Sequence, residues 1–273
     1  MTRVLSGAVL VALAVAVVWF APTPLFFAVA ELLLVLAFIE YGRLAEASGF
    51  PIPFVPAGIA TVIASIGITS SLRAGNELLA NAVALDAALL PATVVLGAIS
   101  LATWREGQGG RDTLGRVAAS VFPMLYLGLP IGAMIALRSL RGREALFLLL
   151  LTVMVSDTAQ YYTGRALGRR PLAPAISPKK TIEGAAGGFV SGALVLAVVG
   201  TWWLPRFPIA FRALFGVVLV ALGIAGDLFE SMLKRSAGVK DSSTLIPGHG
   251  GVLDRIDALL FTAPVYYIVL KYA

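Results

Sequence analysis

Cysteine is absent from this chain, and histidine occurs once, at His249. The first absence excludes disulfides, thiolate metal sites and cysteine nucleophiles. The second excludes a histidine-rich zinc centre and leaves any Ser-His-Asp scheme with a single base to choose from. Charge is also scarce. Asp, Glu, Lys and Arg make up 13% of the 273 residues, against about 25% in soluble domains. No Walker loop, Rossmann glycine fingerprint or nucleophile elbow is present, so a covalent enzyme intermediate is not indicated. What fills the chain is hydrocarbon. The hydrophobic fraction is 59% and the mean hydropathy is +0.91. The composition is that of an integral membrane protein. The net charge of +6 reads as loop charge facing anionic lipid or phosphate, with no nucleic-acid partner.

Nine apolar runs are separated by turn or charge signals: Leu5–Phe20, Leu25–Glu40, Ile52–Ile68, Leu78–Thr103, Thr113–Leu137, Glu144–Gly164, Glu183–Leu204, Phe211–Arg235 and Val252–Lys271. Each is near membrane length. Lipid offers no partner for a bare peptide group, and the runs are too long for barrel strands, so an all-α polytopic protein is expected. The first run is read as a mature helix rather than a cleaved leader, since Ala21-Pro-Thr-Pro24 is a poor cleavage site. Four residues separate it from the second, which implies a tight hairpin. The third run carries Pro53 and Pro56 and is the one whose crossing is open. On this topology, 14 of the 21 Lys and Arg residues fall on one side and 7 on the other. The richer side is assigned to the cytoplasm, with the N-terminus inside. Arg138, Arg141 and Arg143 run against that rule. Residues 1–137 read as a scaffold of spans that includes dimer contacts. Residues 138–273 read as the catalytic region, in an inner, multi-pass membrane protein whose site faces the cytoplasm.

The polar residues are concentrated in Ser231–Asp257. Such density between membrane-length runs is costly unless it serves a charged ligand. Asp227 lies toward the end of the eighth span. Asp254 and Asp257 open the ninth at i, i+3, on one helix face. Asp157 lies in the second half of the sixth. Four carboxylates near one membrane face repel each other if left bare. A divalent cation relieves the repulsion, and an all-oxygen set suits Mg²⁺ or Mn²⁺ rather than zinc. The competing reading pairs them with Lys234, Arg235 and Arg255. Asp227, Ser231 and Lys234 form one stripe on the eighth helix. Glu230 and Lys234 are read as a helix salt bridge, so Glu230→Gln is expected to be mild. Leu245–Gly251 brings Gly250, Gly251 and His249 to a helix N-terminus, where backbone N–H groups favour an anion. His249 either donates to a phosphate or caps the loop. Ser177-Pro-Lys-Lys-Thr-Ile-Glu-Gly184 offers Lys179 and Lys180 as a phosphate grip or as a membrane anchor, and Thr181 as a helix N-cap.

The string from Ser231 through Lys234, Arg235, Lys240 and Asp241 to Ile246-Pro-Gly-His-Gly-Gly251, Asp254, Arg255 and Asp257 resembles the signature of the phosphatidate cytidylyltransferase (CDP-diacylglycerol synthase) family. Ser156-Asp-Thr158, Tyr161 and Ser177–Gly184 resemble it too. Gln160 departs from the pattern, standing where a small residue is expected. The matching pieces occupy Ser156–Ala273. The resemblance implies a reaction, CTP plus phosphatidic acid giving CDP-diacylglycerol and pyrophosphate. It implies Mg²⁺ held by Asp227 and Asp254, with Asp157 and Asp257 as further ligand candidates and room for a second cation. Asp227, Asp254, Lys234 and Asp257 carry the catalytic expectation. Ser177, Lys179, Lys180, Thr181, Ser231, Arg235, Lys240, Asp241, His249, Gly250, Gly251 and Arg255 carry the nucleotide-binding one. A homodimer among membrane lipids is implied as well. The alternatives are a cytidylyltransferase or kinase acting on another lipid acceptor, and a cation-coupled transporter, which would place its polar groups near the midplane of two related halves.

Overall fold

The computed structural model describes residues 2–70, 93, 94, 96, 97, 113–246, 248 and 250–272. The expected fourth run, residues 78–103, therefore lies almost wholly outside the described residues. The remainder is helical: α1 (Thr2–Phe20), α2 (Thr23–Ala47), α3 (Phe54–Ser70), α4 (Thr113–Pro123), a five-residue π turn (Met124–Gly128), α5 (Leu129–Leu167), α6 (Ile182–Trp203), α7 (Ile209–Ser236) and α8 (Leu253–Tyr272). An antiparallel ribbon, β1 (Pro171–Ala173) and β2 (Ser177–Thr181), joins α5 to α6. Among the described residues, the ribbon and an isolated bridge between Ile246 and Gly250 are the departures from an all-helix expectation.

Among the described residues, four segments are long and apolar enough to cross a membrane: Thr23–Ala47, Thr113–Leu167, Ile182–Trp203 and Ile209–Ser236. The second is 55 residues long, and its path breaks at Gly142. There φ is 83° and ψ is 178°, an extended backbone with positive φ that only glycine adopts readily. The three arginines that run against the charge rule surround this break, and they are spent on helix ends. Arg138 donates to Ala21 O (3.2 Å), Arg143 to Trp19 O (3.2 Å) and Arg141 Nε to Leu270 O (2.7 Å). Cations at helix C-termini meet exposed carbonyls and the negative end of the dipole. Their position thus follows from stapling α1 and α8 to the break.

The hairpin between α1 and α2 is tight, as expected, with Phe26 N donating to Pro22 O at 2.9 Å. The proline-bearing third run is an unbroken helix. Pro53 precedes the helix and Pro56 stands in its first turn, where a missing N–H costs little. Aromatic rings of Phe122, Tyr126, Phe229 and Phe261 pack between α4, the π turn, α7 and α8. The contact that matters most for the site is between α7 and α8. A Cβ on Gly226 would lie 2.5 Å from Asp257 O and 3.3 Å from Ala258 Cα. Only the absence of a side chain lets these backbones meet, one residue from Asp227.

Candidate active site

One end of the bundle gathers the C-terminal ends of α2, α5 and α7, the N-terminal ends of α6 and α8, the ribbon and the 237–252 loop. The ribbon is fixed from α6. Glu183 Oε2 accepts from Arg169 N (3.0 Å) and Arg170 N (3.2 Å), and its other oxygen pairs with Arg170 Nε at 3.1 Å. Thr181 is the N-cap of α6 and accepts from Gly184 N at 3.1 Å. Successive side chains on a strand point to opposite sides, and this separates the lysine pair. Lys179 is exposed, whereas Lys180 Nζ reaches Asp227 Oδ2 at 2.6 Å.

Asp227 is the centre of a first group. Ser231, one turn on, donates to its Oδ1 at 3.4 Å. Asp157 and Asp257 act on Asp227 and on each other electrostatically, and Lys180 acts on both. Gln160, the departure from the family pattern, donates to Asp157 Oδ1 at 3.0 Å and covers Gly188 of α6. Its place is thus explained by an amide that orients Asp157.

A second group adjoins the first. Lys234 pairs with both Asp254 and Glu230. Asp254 Oδ2 accepts from Ser242 N (2.9 Å), Ser242 Oγ (2.7 Å) and Gly251 N (2.8 Å). Asp254 therefore closes the loop that precedes its own helix. The expected Glu230–Lys234 salt bridge is present, but Glu230 is 0% exposed, so it is a buried pair rather than a surface one. The stripe of Asp227, Ser231 and Lys234 faces the site as its spacing implied.

Other predicted residues stand at the edge. Arg235 donates to Val239 O at 2.9 Å and closes the end of α7. Lys240, Asp241 and Arg255 are exposed, and Ser177 is half-buried at the start of β2. Gly250 has φ of 76° and bonds Ile246 across the loop. His249 lies outside the described residues. Sequence reasoning missed Glu40, Ser242 and Ser243. Glu40 lies in α2, 2% exposed, and accepts from both serines and from the first N–H groups of α8. An acid at the end of an apolar run was the available signal.

Among the described residues no three acidic or histidine side chains already converge on one point. The donor chemistry nevertheless fits a hard divalent cation. All the donors are oxygens, the carboxylates of the first group outnumber its one lysine, and an ammonium already stands against Asp227 and against Asp254.

Carboxylates, lysines and a glycine-rich loop thus meet at one end of a helical membrane protein. The chain matches the cytidylyltransferase family model over residues 1–273, and it belongs to that family. It is similar to proteins named phosphatidate cytidylyltransferase. The identities are 50% over 121 residues in Synechocystis sp. (43% of this chain, 40% of the relative), 47% over 131 residues in Haemophilus influenzae (45% of each) and 40% over 162 residues in Bacillus subtilis (58% and 60%). The chain spans about half the length of the curated relatives it matches.

Proposed function

We propose that this protein transfers CMP from CTP to phosphatidic acid, giving CDP-diacylglycerol and pyrophosphate. One observation carries the reading. Two lysine–carboxylate pairs, Lys180–Asp227 and Lys234–Asp254, stand at the same end of the bundle on positions of a nucleotidyltransferase-like signature. Each pair holds a cation and an anion that a metal–phosphate ligand can exchange into. The names of the relatives support the choice of substrates.

In this reading an oxygen of the lipid phosphate attacks the α-phosphorus of CTP. The bond from the α-phosphorus to the bridging oxygen breaks, and pyrophosphate leaves with the electron pair. No covalent enzyme intermediate is required. Lys180 and Lys234 turn from their carboxylates to the phosphates and offset the charge growing on the leaving group. Lys179, exposed on the ribbon, adds to the attraction for CTP. Asp227 and Asp254 would hold Mg²⁺, Asp157 and Asp257 would add negative potential nearby, and a second ion would draw on the same carboxylates. Bound Mg²⁺ supplies charge neutralisation along the polyphosphate. Ser231 orients Asp227, and Gly251 lets the loop backbone close on Asp254. Phosphatidic acid presents its headgroup at the interface while its tails remain in lipid. The site faces the cytoplasm in a bacterial inner membrane, and two copies associate.

The test is direct. Detergent-purified protein with CTP, Mg²⁺ and phosphatidic acid should release pyrophosphate and form CDP-diacylglycerol, and EDTA should stop both. A panel of lipid phosphates and alcohols separates the acceptors. Turnover on another acceptor but not on phosphatidic acid would reassign the lipid. No turnover under any divalent ion would overturn the assignment.

A further inference from the structure

Glu40 is a buried charge for which neither the signature nor the reaction accounts. It is 2% exposed, and among the described residues it forms no ion pair. Its carboxylate accepts four hydrogen bonds instead. Ser242 Oγ donates at 2.8 Å, Ser243 Oγ at 2.7 Å, Val252 N at 2.9 Å and Leu253 N at 2.8 Å. All four donors come from a segment at least 202 residues further along the chain. The two N–H groups open α8, where intrahelical acceptors do not exist and the helix dipole favours an anion. An acid from α2 thus supplies the cap that α8 lacks.

The contact continues into the site. Ser242 Oγ lies 2.7 Å from Asp254 Oδ2 as well as 2.8 Å from Glu40 Oε2. A hydroxyl carries one proton, so the two carboxylates share one donor. Gly251 fills the remaining space. A Cβ there would lie 2.2 Å from Ser242 Oγ and 2.3 Å from Glu40 Oε2, so no other residue fits while Glu40 is in place. Glu40, Ser242, Gly251 and Asp254 are therefore packed as one unit, and Lys234 is tied to it through Asp254.

We propose that Glu40 is a positioning residue. It latches the 242–253 segment to α2 and thereby holds Asp254 and Lys234 beside Asp227 and Lys180. The effect on turnover rests on the cytidylyl-transfer reading, whereas the effect on the loop does not. Two readouts keep them apart. The first is the rate of tryptic cleavage within 235–255, where Lys240 is exposed. The second is KM for CTP set against KM for phosphatidic acid.

Glu40→Ala is expected to speed cleavage about tenfold, the order expected from losing a charge-assisted hydrogen bond. It should raise KM for CTP by about as much, and leave KM for the lipid unchanged. Glu40→Asp should recover part of both effects. Ser243→Ala removes one donor from the opposite side and serves if the Glu40 variants do not fold. It should shift cleavage and KM in the same direction by a smaller factor. Wild-type cleavage and wild-type KM for CTP in Glu40→Ala would overturn the latch. So would an equal rise in both KM values, which marks general damage. If the unaltered protein turns over no CTP, the functional reading fails, and cleavage alone decides for or against the latch.

Discussion

At the scale of single residues, the two carboxylates expected to share one metal sit in different surroundings. Asp227 is partly open and meets Lys180 and Ser231. Asp254 meets Lys234 and three donors of its own loop. Their amide variants should therefore differ. Asp227→Asn is expected to reduce turnover at least about 100-fold, the usual loss when a charge aimed at a reacting phosphate is removed, with melting unchanged. Asp254→Asn should lose turnover equally and also melt lower, by about 2 kcal/mol or more, because a buried ammonium loses a partner. Pyrophosphate release and melting in detergent, measured on both, check the contrast. Equal melting would remove Asp254 from the loop closure described here. Glu230→Gln, mild on the sequence reading, is now expected to be costly. Its carboxylate is wholly buried with Lys234 as its polar partner among the described residues. Lowered stability by about 3–5 kcal/mol, the range for breaking a buried pair, is the expected result.

At the scale of elements, the site depends on how closely α7 and α8 approach. Gly226 faces the backbone of Asp257 and Ala258 with no room for a methyl group. Gly226→Ala must push the helices apart by some tenths of an ångström and move Asp227 relative to Asp254. Overpacking of this kind costs about 1–3 kcal/mol. The expected outcome is a lower melting temperature together with a fall in kcat that Mg²⁺ concentration does not restore. A fall restored by excess Mg²⁺ would instead point to a weakened metal site with the geometry intact. The ribbon is the second element that matters. Its strand alternation sends Lys180 inward and Lys179 outward, which adjacent lysines in a loop would not have done. Thr181 holds the helix end at which this ribbon stops, so its hydroxyl acts on α6 in this structure.

At the scale of the whole molecule, polar groups crowd one end of the bundle, and the three arginines near Gly142 secure the other. That arrangement disfavours a transporter, whose sites lie at the midplane. It also gives a clean test of orientation, because the chain has no cysteine. Single cysteines at Val239, beside the site, and at Arg206, in the turn between α6 and α7, are both exposed. An impermeant thiol reagent should label Val239→Cys in inverted membrane vesicles and Arg206→Cys in right-side-out ones. The reverse pattern would place the site outside the cell. Glycines such as Gly192 and Gly216 are consumed by packing within one chain, so the proposed association of two copies would use other surfaces. Cross-linking in native membranes would find it.

The amino-acid sequence by itself determined that the protein is helical and membrane-bound, roughly where its described helices run, and which family it belongs to. These follow from local properties: the length of apolar runs, the need to satisfy every peptide group in lipid, and a dense polar signature near the C-terminal end. The Asp227, Ser231 and Lys234 stripe and the Thr181 cap were legible for the same reason, since helix spacing and capping are short-range. Only the tertiary structure decided that Lys180 rather than Lys179 meets Asp227, that Glu230 is buried, and that Asp254 closes its own loop. Least legible was Glu40. Glu40 is one of three glutamates in α2, and no neighbour in sequence reveals its partners, which arrive from the other end of the chain. Burial and long-range pairing depend on which helix faces meet, and no local pattern encodes that.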